Sequence, residues 1–129
     1  MARLERILVL LISLHSVAVG VGLLAIAVTG PLFGFGTVTP AFFAHQGGAF
    51  HLVVGIGYWL EHRSSGTVRL LLLAKGSATV FLLGATLLTS VPWLVPLSAV
   101  GDFAMGLAVA LVHRRVLAAA AAPARAAAA

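Results

Sequence analysis

The stretch VPWLVPLSAVGDFAMGLAVALVHRR, residues 91–115, decides how the rest of the chain is read. It opens on Pro92 and Trp93 and closes on His113, Arg114 and Arg115. Between them lie about twenty apolar residues, long enough to cross the roughly 30 Å hydrocarbon core of a bilayer at about 1.5 Å per residue. One charge, Asp102, stands near the middle. An ionised, unpaired carboxylate there costs on the order of 3 kcal/mol or more. Its partner must come from another part of the chain.

The composition supports a membrane setting. The chain has 129 residues, 61% hydrophobic and 9% charged, with a mean hydropathy of +1.14. Soluble domains carry about 25% charged residues, so this chain cannot cover a water-facing surface. Its net charge of +5 does not indicate nucleic acid. The basic residues sit in small groups at the ends of apolar runs, with no basic face. There are no cysteines, which excludes disulfides, thiol redox chemistry and thiolate metal sites.

Working outward, four spans are expected: about 4–28, 42–60, 68–89 and 92–112. The first follows Arg3 and Arg6 and is too long for a typical signal peptide, so it is read as retained. Residues 29–43, TGPLFGFGTVTPAFF, contain no charge. Their Gly and Pro content breaks a helix, which suggests an interfacial loop. The second span is Gly-rich, with Gly48, His51 and Gly55 on one face, and it closes on Tyr58 and Trp59. With Trp93, these are read as interface anchors. Residues 118–129 form an Ala-rich tail, read as a compositionally biased, disordered end despite the helix propensity of Ala.

Topology follows from the arginines. Seven of the eight Lys and Arg residues are arginines. They fall before the first span (Arg3, Arg6), between the second and third (Arg63, Arg69) and after the fourth (Arg114, Arg115, Arg125). The other two connections hold none. The positive-inside rule then places both termini and the middle turn in the cytoplasm. The expected fold is an all-α, integral membrane four-helix transmembrane bundle in a bacterial-type inner (plasma) membrane.

Counting from the arginine borders at about 1.5 Å per residue, Asp102 and His51 both lie about 18 Å into the membrane. His15 lies roughly 13 Å in and Lys75 roughly 9 Å in. Lys75 can extend toward Asp102 as its counter-ion, His51 can hydrogen-bond the carboxylate, and His15 can close the set. Three readings of His15, His51, Lys75 and Asp102 stay open. The set fastens helices together; it forms a proton-responsive or polar-head site, as in a small carrier or quinone-binding protein; or His15 and His51 ligate a haem. His62 and His113, beside arginines, are read as solvated, and His45 with Gln46 as interfacial. No metal-ligand spacing, phosphate loop or nucleophile motif occurs.

Several features taken together resemble the small four-span bacterial membrane proteins of the DoxX-like group. These are the basic start, the Gly/Pro/Phe-rich loop, GYWLEHR at 57–63, AKG at 74–76, GD at 101–102 and the terminal arginines. The resemblance spans the chain to about Arg115. It implies an accessory membrane subunit of a quinone-linked oxidoreductase, without catalysis of its own. It places Lys75 and Asp102 at the usual polar positions of spans three and four. Expected partners are the lipid bilayer and other membrane subunits or a second copy, and no nucleic acid.

Overall fold

The computed structural model describes residues 1–127, all helix and connecting loop. Helix α1 (Ala2–Leu24) breaks at Ala25 and resumes as a single turn, α2 (Ile26–Thr29). The break frees carbonyls, and the Thr29 hydroxyl donates to Gly22 O at 2.7 Å. A 3-10 turn, Gly30–Phe33, ends at Gly34 in the left-handed conformation, φ 82°, which a glycine adopts at no steric cost. Helix α3 (Phe42–Ser65) is followed by α4 (Arg69–Leu88) and α5 (Leu94–Ala127).

The structure carries α5 through the Ala-rich run to Ala127, in place of the disordered tail expected there. Alanine loses the least conformational freedom in a helix and continues the preceding turns. Pro123 lies inside this extension. Residues 128 and 129 of the tail lie outside the described residues.

Among the described residues, three helices are long and apolar enough to cross a membrane: Ala2–Leu24, Arg69–Leu88 and Leu94–Pro123. Helix α3, at 24 residues, matches them in length but not in hydropathy. His45, Gln46, His51 and four glycines dilute it.

The helices pack mainly in two pairs, α1 with α3 and α4 with α5, joined by α1–α5 and α3–α4 contacts. The α1–α3 crossing is the tightest. A Cβ at Gly20 would come within 2.8 Å of Gly48 O, and one at Gly48 within 2.8 Å of Gly20 O. Gly55 sits nearly as close to Ser13 and Ser16. Small residues let these two backbones touch, as in membrane helix pairs. By contrast, a methyl group at Gly84 or Gly101 would meet nothing within 4 Å.

An apolar core of Val9, Ile12, Tyr58, Val68, Leu71 and Val109 joins all four long helices. Along each helix it sits between two polar levels. Val9 lies between Glu5 and Ser13, Tyr58 between His62 and His51, and Val109 between His113 and Asp102. Large apolar side chains cover the outside, including Leu87, Leu88, Val80, Phe81 and Phe43.

Candidate functional site

The inner polar level is built on the α4–α5 pair. Asp102 and Gly106 share a face of α5, one turn apart. A Cβ at Gly106 would sit 3.4 Å from the Lys75 Cβ, so the glycine lets α4 approach closely at this point. Lys75 Nζ donates to Asp102 Oδ1 at 2.6 Å. Both residues are buried, at 3% and 7% exposure. A short, charge-assisted hydrogen bond of this kind is about twice as strong as a neutral one, which offsets part of the cost of desolvating both ions. One turn on, the Thr79 hydroxyl donates back to Lys75 O at 2.8 Å.

A cavity of about 170 Å³ opens beside this pair, between α3 and α4. Phe50, His51, Val54 and Tyr58 line it from α3, Ala74, Lys75 and Ala78 from α4, and Asp102 from α5. His51 therefore shares a space with the ion pair without hydrogen-bonding to it. Apolar walls with a few converging polar groups are the usual make-up of a small-molecule site.

Tyr58, expected at the membrane interface, is instead buried at 4% exposure. It follows His51 by seven residues and so points to the same side of α3. Ser13 Oγ and Ser16 Oγ, on α1, are buried without a hydrogen bond. Trp59 packs partly on the core, and Trp93 is 57% exposed. His15 lies on an exposed face of α1 and is absent from the cavity lining. It does not join His51, Lys75 and Asp102 in lining that space. His45 and Gln46 are exposed.

A second polar level, which the sequence reading does not anticipate, lies nearer the arginines. Glu5 is buried at 2% exposure, and its Oε1 hydrogen-bonds His113 Nδ1 at 2.9 Å. His62 Nδ1 lies 3.6 Å from the same oxygen. The two histidines read as solvated are therefore partly buried and turned inward. His113 ties α5 to the start of α1, while His62 Nδ1, buried without a hydrogen bond, sets α3 beside the same carboxylate. The spacing of Glu5, Val9 and Ile12 on one face of α1 is the sequence signal that turns Glu5 inward.

Glu61, also on α3, reaches across the turn. Its carboxylate accepts from Arg69 N at 3.1 Å, Leu70 N at 3.0 Å and the Thr67 hydroxyl at 2.7 Å. Val68, at the N-cap of α4, offers no side-chain acceptor. Glu61 takes that role from the preceding helix and complements the helix dipole.

Among the described residues no group of three or more His, Cys, Asp or Glu side chains could hold a metal ion. Compared with known proteins, the chain matches no family model, no curated protein and no solved structure.

Proposed function

We propose that this chain is a small, non-catalytic integral membrane protein that crosses a bacterial-type inner membrane four times, termini inward, as an accessory subunit of a membrane redox complex. The DoxX-like resemblance points the same way. The observation that carries the subunit reading is the outward face of α4. There Gly76 and Ser77 form the floor of a shallow groove between Leu72, Leu73, Val80 and Phe81. A Cβ at Gly76 would meet nothing within 4 Å, so a helix of another chain can approach this face closely. The inner charges are already satisfied by one another, which leaves lipid-facing helix surfaces as the place to meet partners.

In-membrane crosslinking from Ser77→Cys tests this. The chain has no native cysteine, so each product reports the introduced site alone. Heteromeric or homomeric products at this position are expected. A chain that stays monomeric in its native membrane would overturn the subunit reading.

A second reading is favoured by the cavity. His51 makes no hydrogen bond among the described residues, and it faces a space shared with Tyr58, Lys75 and Asp102. A lipid-borne molecule with a polar ring head, such as a quinone, would find both donors and acceptors there. His51→Leu should then reduce quinone retained through purification, while leaving the α4 crosslinks intact. Equal retention would remove this reading. A visible spectrum is expected to show no Soret band after haem addition.

A further inference from the structure

Six arginines share one level of the bundle: Arg3 and Arg6 near the start of α1, Arg63 near the end of α3, Arg69 at the start of α4, and Arg114 and Arg115 within α5 before its Ala-rich extension. The contacts of Glu5 and Glu61 fix this shared level. Glu5, His62 and His113 meet from α1, α3 and α5, and each is followed directly in sequence by an arginine, Arg6, Arg63 or Arg114. A neighbour on a helix is turned about 100° away. The three guanidiniums therefore leave the buried cluster and emerge around it, and all six arginines are exposed.

The carboxylates that would ordinarily neutralise them are occupied. Glu5 is buried against the two histidines, and Glu61 is spent on the α4 backbone and Thr67. Among the described residues the ion pairs within 4 Å are Glu5 with His62, Glu5 with His113, and Lys75 with Asp102. No described arginine side chain takes part in one. A rim of six uncompensated guanidiniums directly below a lipid-facing apolar surface is complementary to phosphate carried on an acyl chain. Guanidinium forks bind phosphate oxygens in pairs.

We infer that the rim formed by Arg6, Arg63 and Arg114 binds the headgroup phosphate of acidic phospholipids, retaining them as annular ligands of the chain. The inference rests on the membrane-spanning reading above. It goes beyond orientation, since it assigns a specific lipid class to named side chains. The buried Glu5–His62–His113 contact is the scaffold that holds the three guanidiniums at one level.

Native mass spectrometry of the full chain in detergent tests this, titrating phosphatidylglycerol against phosphatidylcholine of the same acyl length. Phosphatidylglycerol is expected to bind at least tenfold more tightly. The triple substitution Arg6→Gln/Arg63→Gln/Arg114→Gln should weaken it by roughly fivefold per guanidinium, on the order of a hundredfold in all. The charge-matched triple Arg3→Gln/Arg69→Gln/Arg115→Gln should weaken it at least tenfold less.

Equal losses in the two triples would mean diffuse attraction and overturn the site, as would no preference between the two lipids. Displacement of bound lipid by excess inorganic phosphate would show a small-anion site and overturn the lipid assignment. Orientation is read separately, by labelling Ser64→Cys and Thr37→Cys from each side of the membrane. Reversed labelling would overturn the topology and leave the lipid titration standing.

Discussion

Replacing Lys75 with methionine removes the cation that pairs with Asp102 while nearly keeping the length of the side chain. At 2.6 Å and an effective dielectric of about 20, the lost attraction is about 6 kcal/mol. Removing one partner of a buried pair typically costs about 3–5 kcal/mol, because the other charge is left uncompensated. The double substitution Lys75→Met/Asp102→Leu leaves no charge behind and should lie within about 1 kcal/mol of the parent. Reversible unfolding in mixed micelles with increasing SDS, followed by Trp59 and Trp93 fluorescence, gives each free energy. The single variants should lose about 3–4 kcal/mol at pH 7 and the double should recover most of it. Additive losses would refute the argument that the pair is mutually compensated in the interior.

Three further outcomes are expected. Gly48→Ala should lose about 2 kcal/mol or more in the same unfolding assay, because its methyl would meet Gly20 O at 2.8 Å and backbone cannot yield; Gly84→Ala, with nothing within 4 Å, should be neutral. Glu61→Ala removes the cap of α4 and should cost about 1–2 kcal/mol, with hydrogen exchange rising first at the Arg69 and Leu70 amides and not at mid-helix. Glu5→Gln should loosen α1 from α3 and α5, so that a cysteine placed at Ile12 becomes reactive to a membrane-permeant thiol reagent; unchanged protection would mean that the apolar core alone holds α1 in place.

The helices are legible from length and apolarity, since a run such as 94–117 has no other way to satisfy its backbone in lipid. The depth count also sets Asp102 near Lys75, because arginine borders act as rulers once helix rise is fixed. Helix α3 reads as a span from its length and flanking residues, and its glycines and histidines hold its hydropathy below that of the others. What sequence does not supply is rotation about each helix axis. His15 stands at a suitable depth, but it faces outward. Tyr58 reads as an anchor from its neighbour Trp59, whereas one step of about 100° separates the buried side of α3 from the exposed one. The Glu5–His62–His113 contact joins residues up to 108 positions apart, and proximity of that kind emerges only when three helices are set side by side.

The apolar core between the two polar levels has an electrical consequence. Val9, Ile12, Leu71 and Val109 are at most 4% exposed, and none has a side-chain atom to which water or a proton could bind. Placing a bare ion in such a layer costs many kcal/mol. Tyr58 carries the phenol of this core cluster, and the aliphatic side chains around it oppose the entry of a bare ion. The buried Glu5 contact and the α3–α4 cavity beside Asp102 lie to either side of this layer. Val109→Asn would bury an amide at a position now 0% exposed among apolar side chains, at a cost of about 1–3 kcal/mol.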